Sequence, residues 1–250
     1  MQRLNEANQN VIPWIVPRVD EDLVSWIRAN GDKRSYKARD ILLNETRPYD
    51  RMIFVESGIV AQGVVDASMY TKSIAFNLFT GGRMMGILNI FTGVSSPRKL
   101  IALSDVDVYV CSHSKVREGL LSDLNLTLKL ASYCELSAKS ELIGMEVLFS
   151  MEPQKRLEML FSVLLLSDGA IDLYGRCLNE SEAAVKEGFV KLPYTLTREA
   201  MRSVIYLSTS TFDRLLGEWS RSRGFERDSN GEIWVDVERL SDALKWIREH

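Results

Sequence analysis

The chain of 250 residues carries only three cysteines, Cys111, Cys134 and Cys177, and two histidines, His113 and His250. The cysteines are far apart, odd in number and set in no metal-ligand spacing. That excludes a disulfide framework and a Cys/His metal cluster, and points to a reduced cytoplasmic chain. No cofactor and no metal are expected. No apolar run approaches the roughly 20 residues a membrane helix needs, and the opening MQRLNEANQN is too polar for a signal peptide, so no membrane partner is expected. An excess of one sign is also lacking: the net charge of −3 is too small to imply an acidic or basic tail. Catalytic patterns are missing as well. There is no HExxH and no G-x-S-x-G, and the glycines at 81, 82 and 86 are not followed by the Lys-Ser/Thr of a phosphate-binding loop. Asp105 and Asp107 can share a strand face, a pairing common at turns and edges. The chain is therefore not read as an enzyme.

What is present divides by period. Val11 to Pro17 contains two prolines and reads as an extended arm packed on something else. Asp20 to Asn30 reads as a short amphipathic helix. From Tyr36 to Ser112 the pattern becomes short β-type runs at 41–43, 52–65, 73–79 and 99–112. Ile101, Leu103, Val106, Val108 and Val110 alternate across a bend or bulge at Ser104-Asp105. Glycines at 58, 63, 81, 82, 86 and 93 mark the turns of a small antiparallel barrel or jelly roll.

Ser114 to Leu121 reads as a short helix, and Leu124 to Met151 as one of about 40 Å at 1.5 Å per residue. Leu124, Leu128, Ala131, Leu142, Met145 and Phe149 recur along it mostly at three, four or seven residues, with Ser137 to Ser140 as an interruption. A twofold partner would bury that stripe, so a homodimer is expected. Pro153 opens a further helix with Leu157, Leu160, Phe161, Leu164 and Leu165 as its core face. NESEAAVKE, at 179–187, has a helical composition. ERLSDALKWIREH closes the chain as a helix.

Between them lies LTREAMRSVIYLSTSTFDRLLGEWSRSRGF, from Leu196 to Phe225. Thr197 and Ser208 are candidate caps of two short helices joined by a tight turn. The second helix sets Phe212, Leu215, Leu216 and Trp219 on one apolar face. Its other positions, Ser208, Thr209, Ser210, Thr211, Asp213 and Arg214, are short polar or cationic groups suited to phosphates and base edges. Gly224 reads as the stop, and a hairpin about Ser229-Asn230-Gly231 follows. From Lys191 to Arg227 seven cations face four anions within an acidic chain. Arg198, Arg221, Arg223 and Arg227 are the further candidate DNA contacts.

Helix, turn, helix and hairpin, preceded by a roll and a long helix, resemble the Crp–Fnr superfamily of bacterial transcription regulators. The motifs are L192-P193-x-x-L196-T197-R198, S208 to L216, the wing NGEIWVD, and I53-F54-V55-x-x-G58 with G81-G82-R83-M84-M85-G86 in the roll. The resemblance implies an α+β chain: an N-terminal arm and antiparallel, jelly-roll-like β-roll sensor at 1–122, a long dimerisation helix at 123–151, and a C-terminal winged helix-turn-helix at 152–250. It implies a dimer on double-stranded DNA with an inverted-repeat site, RNA polymerase as a candidate partner, and an effector that is not identified. Gly86 and Arg98 fall where relatives hold a cyclic nucleotide. The glutamate that follows this glycine in nucleotide-binding relatives is Ile87 here, and Lys99-Leu100 follow Arg98 in place of Ser/Thr-Ala, so no cyclic nucleotide is expected. Arg202 stands where relatives have a small residue, Tyr206 where they usually have a glycine, and Thr209-Ser210-Thr211 where many have Arg-Glu-Thr. These departures keep open a second reading, a sensor or scaffold module that works through protein partners with a vestigial helix-turn-helix. A minor third reading is haem held by His113 or a cysteine.

Overall fold

The short alternating runs between turn residues build two four-stranded antiparallel sheets in the computed structural model, which describes residues 11–43, 50–64, 74–94, 98–178, 185–186, 188–194 and 196–250. The chain divides into two compact units, Met1–Ile143 and Gly144–His250. No helix among the described residues is long and apolar enough to cross a membrane.

In the first unit, Asp20 caps α1 (Glu21–Asn30) by accepting from the Asp22 amide at 2.9 Å, and Leu23, Val24 and Ile27 form the buried face. The strands are β1 (Asp32–Tyr36), β2 (Ile41–Leu43), β3 (Arg51–Ser57), β4 (Ile59–Val64), β5 (Ile74–Thr80), β6 (Arg83–Met85), β7 (Arg98–Ala102) and β8 (Val106–Ser112). One sheet runs β1-β8-β3-β6 and the other β2-β7-β4-β5. Their apolar faces share one core, and α1 and α2 (His113–Ser122) pack on the β3-β8 side. Gly58 makes the β3-β4 turn at φ +85°, with the Asp105 carbonyl only 2.3 Å from where a Cβ would stand.

The expected jelly-roll class is present and the arm is packed, but the arm is not extended throughout: it turns at Pro13-Trp14, where Trp14 takes φ +61° and Ile12 faces Ile15. Four details of the roll differ as well. Two strands, β1 and β6, go unmarked in the sequence. β1 is DKRSY, a charged edge strand with no apolar alternation to reveal it. In β7 the buried positions are Leu100 and Ala102, not Ile101 and Leu103, because the bend at Ser104 changes the phase between β7 and β8. Gly63 is not a turn but part of β4, where the register with β5 slips between Gln62 and Gly63. The arm lies along the roll: the Leu78 amide donates to the Trp14 carbonyl at 2.7 Å, and buried Arg83 donates to the Val16 carbonyl at 2.7 Å.

The helix α3 (Leu124–Ser150) runs from the first unit into the second. Its roll-facing side is fixed by polar contacts. The Tyr133 hydroxyl donates to the Met84 carbonyl at 2.5 Å and accepts from the Met84 amide at 2.8 Å. Ser140 Oγ donates to the Ile12 carbonyl at 2.6 Å and reaches that of Ile15 at 3.0 Å.

In the second unit the end of α3 is followed by α4 (Pro153–Ser167), with proline at its first turn as expected. All five expected core residues of α4 are buried, and the Phe161 ring lies 5.4 Å from Trp219 and 5.9 Å from Phe225. Next come β9 (Val185–Lys186), β10 (Phe189–Lys191), α5 (Arg198–Val204), α6 (Thr209–Arg221), β11 (Phe225–Arg227) and β12 (Ile233–Asp236). A 3-10 turn at Val237–Leu240 leads into α7 (Ser241–Glu249). The wing sheet is β11-β12-β10-β9, all antiparallel. Most of the stretch read as helical at 179–187 lies outside the described residues, but Val185 and Lys186 are strand, paired across Gly188 with β10.

Candidate nucleic-acid interface, helix stripe and effector cavity

The two short helices form as their caps require. Thr197 Oγ1 accepts from the Ala200 amide at 3.1 Å, and Ser208 Oγ from the Thr211 amide at 3.2 Å. Phe212, Leu215, Leu216 and Trp219 turn inward from α6, leaving Thr209, Ser210, Asp213, Arg214, Ser220 and Arg221 exposed on the opposite arc. Gly217 sits near the middle of that arc with nothing within 4 Å of an added Cβ.

The turn between α5 and α6 is left-handed at Tyr206, φ +51°, the conformation for which glycine would be the unstrained choice. Arg202 does not crowd the helices apart. Its Nη1 bends over the turn and donates to the Leu207 carbonyl at 3.0 Å. Both departures are therefore absorbed within the motif. At the far end of α6, Arg223 takes the left-handed position at φ +57°, and the Gly224 amide closes on the Trp219 carbonyl at 2.9 Å. The stop thus falls one residue before Gly224. Gly224 leaves room for Arg239: a Cβ there would lie 2.8 Å from Arg239 Cδ, and that flexible side chain would have to shift.

The candidate cations are exposed but several are already paired. Arg198 lies 3.6 Å from Asp213, Arg214 2.8 Å from Glu218, and Arg223 4.0 Å from Glu226. Arg227 is exposed on the wing strand β11. These pairs are solvated and loosely held, so a phosphate can compete for each guanidinium. Ser208 Oγ is occupied by the cap, by the Thr211 hydroxyl at 2.8 Å and by the Ser210 hydroxyl at 3.1 Å, which leaves exposed Thr209 the freer of the hydroxyls to meet a partner. The wing turn is tied by Asp228, whose carboxylate accepts from the amides of Asn230 and Glu232, each at 2.9 Å. Burial alone would raise the Asp228 pKa, but these amides and the Trp234 indole outweigh it and hold it low.

Leu124, Leu128, Ala131, Leu142, Met145 and Phe149 are all exposed on α3. Between Ala131 and Leu142 the residues Glu135 and Ala138 complete a strict four-three spacing. The expected interruption at Ser137 to Ser140 does not cut this face, because Ser137 and Ser140 lie on the opposite, roll-facing side.

Gly86 and Arg98 come together at one cavity of the first unit, about 80 Å³ and open on one side. Val16, Phe79, Met85, Ile87 and Leu100 form apolar wall, and Cys134, Ser137, Ala138 and Glu141 of α3 contribute a side. Arg98 Nη1 is 3.4 Å from Glu141 Oε1, which also accepts from Asn77 Nδ2 at 2.8 Å. Neither Glu141 nor Asn77 stands out in the sequence, since Glu141 meets Arg98 only once helix and sheet are packed. Gly86 is also tied: its carbonyl lies 2.8 Å from Nε2 of buried His113, whose pKa burial pulls down. Burial likewise pushes the Cys111 thiol up to about 11 and raises that of Cys134. The Asp105–Asp107 pair is structural. Lys37 and the Ala38 amide hold Asp105, and Ser35 donates to Asp107 at 2.5 Å.

Residues 33–123 match the model of the cyclic nucleotide-binding domain family. No curated protein matches the chain in sequence. Among solved structures the chain resembles FixK2 from Bradyrhizobium japonicum, with 16% identity over 85% of this chain and 96% of that one at a TM-score of 0.64. It also resembles a transcriptional regulator of the CRP/FNR family from Thermus thermophilus, at 20% identity, 86% and 98% coverage and a TM-score of 0.62. A third is the c-di-GMP responsive global regulator CLP of Xanthomonas campestris, at 14% identity, 86% and 99% coverage and a TM-score of 0.63. These likenesses extend over both units and establish the fold.

Proposed function

We propose that the chain is a homodimeric, DNA-binding transcription regulator of the Crp–Fnr type, working in the cytoplasm, whose roll does not take cyclic nucleotide. The observation that carries the DNA reading is α6: an apolar face locked against Phe161 and a polar face, with Arg214 and Arg221 seven residues apart, turned to solvent. Such a helix is built to enter a major groove, with the wing arginine Arg227 beside the phosphates. Residues 152–250 supply this half, 1–122 the sensor, and 123–151 the link. RNA polymerase is the further partner of such a regulator.

The unbroken four-three face on α3 supports the dimer. Its residues from Leu124 to Phe149 would meet a second copy as a short coiled coil, with Glu135 as the one charged position in the seam. Against cyclic nucleotide stand Ile87, buried and apolar where a ribose would need a carboxylate, and Arg98, already paired with Glu141.

A titration of the full chain against a random DNA duplex at rising salt tests the reading. Binding should fall steeply, with a log–log slope of about −0.9 per phosphate neutralised. Absence of binding at low salt, with the chain folded, contradicts it and favours the protein-scaffold alternative.

A further inference from the structure

We infer that the cavity of the roll receives an uncharged, predominantly apolar small molecule, and that Glu141 is the residue that bars anions from it. The inference deepens the proposed regulator by naming the class of its effector, but its test requires no DNA.

Three observations carry it. The cavity wall is mainly hydrocarbon, from Phe79, Met84, Met85, Ile87 and Leu100. An apolar cavity is poorly wetted and gains by admitting an apolar guest. At about 80 Å³ with an open side, this one suits a single ring or a short branched chain, with any remainder projecting through the mouth.

The second observation is charge. Among the described lining residues Arg98 is the one permanent cation and Glu141 the one carboxylate, 3.4 Å apart. The two charges of the described wall thus offset each other. Arg98 is not waiting for a ligand's negative group, because the protein's own carboxylate fills that role. An entering anion would lose hydration in a partly dehydrated space and find no unpaired cation there in return, because Glu141 already holds Arg98.

The third is that Glu141 is held independently of Arg98. Asn77 is fully buried and donates to the same Oε1 at 2.8 Å. Glu141 therefore cannot swing aside to free Arg98 without giving up a hydrogen bond from a buried amide, which is costly.

The experiment follows the methionine methyl signals of Met84 and Met85 in the full chain while adding toluene or benzoate, two molecules of similar shape that differ in charge. Toluene should shift both methyls saturably and benzoate should not. In Glu141→Gln, whose side chain can still accept from Asn77, benzoate should bind at least about tenfold more tightly than in the parent, while toluene is little changed. Matching methyl spectra of the two unliganded proteins verify that the variant folds. The inference is overturned if toluene leaves the methyls unmoved, if benzoate binds the parent as well as toluene does, or if Glu141→Gln leaves the discrimination intact. Loss of DNA binding by the parent chain, with these shifts retained, would remove the regulator reading and leave the cavity assignment standing.

Discussion

Arg202 Nη1 donates to the Leu207 carbonyl at 3.0 Å, directly across the turn in which Tyr206 stands at φ +51°. A larger residue than the turn prefers is thus joined to an arginine that ties the turn down. Replacing Tyr206, which is exposed and loses no core contact, by glycine should relieve left-handed strain and stabilise the fold by about 1 kcal/mol. Arg202→Ala should cost about 1 kcal/mol through the lost hydrogen bond. Urea unfolding midpoints check both.

Gly217 occupies the solvent-facing arc of α6 with open space where a side chain would go. Glycine in a helix interior costs about 0.8–1 kcal/mol relative to alanine. Gly217→Ala should therefore raise stability by about that amount, because nothing is displaced. If the helix lies against DNA at this point, the same change should weaken DNA binding. Thermal unfolding and a DNA titration on one sample separate the two effects.

On the proposed DNA-bound form Arg214 would exchange a solvated partner, Glu218 at 2.8 Å, for nucleic acid. Arg214→Ala should cost about 1–3 kcal/mol on the preferred duplex and relax the choice of base at one position. An equal loss on every duplex would assign it to phosphate alone.

The proposed dimer seam on α3 gives a size prediction. Leu142→Asp places a second carboxylate near the middle of the four-three face, where Leu142 is exposed in the single chain. The fold should survive and the dimer should not, so sedimentation should report one chain's mass, with helix content reduced by little.

These contacts mark what the residues alone make legible. Caps at Thr197 and Ser208, proline at the start of α4 and the apolar face of α6 depend on near neighbours, and all are found where the residues place them. Alternation locates most strands of the roll but not β1, whose charged DKRSY is held by pairing with β8 across more than seventy residues of chain. Glycine is the usual occupant of the left-handed position at a helix end, yet at the end of α6 Arg223 takes it and Gly224 makes room for Arg239. The cavity lies beyond sequence reasoning. Gly86 and Arg98 are candidates by resemblance, whereas Glu141 and Asn77 acquire meaning only when α3 lies on the second sheet.

His113 predicts a pH dependence. Burial lowers its pKa below the usual value near 6.5, so the folded state holds it neutral while the unfolded chain protonates. Its contribution is fully present above about pH 6.5 and is lost as the pH falls below it. The urea midpoint should decline from about pH 7 to pH 5.5, and less so in His113→Gln. The carboxylates held low by partners, such as Asp105 by Lys37, should add their loss only under more acid conditions.

The most direct test of the central claim is selection of bound sequences from a random duplex library by the full chain at about 100 mM salt. A dimer with two α6 helices predicts an inverted repeat whose half-sites lie one helical turn apart, about 34 Å. Recovery of no shared motif, or of a single unrepeated half-site, would contradict the dimeric DNA-reading account.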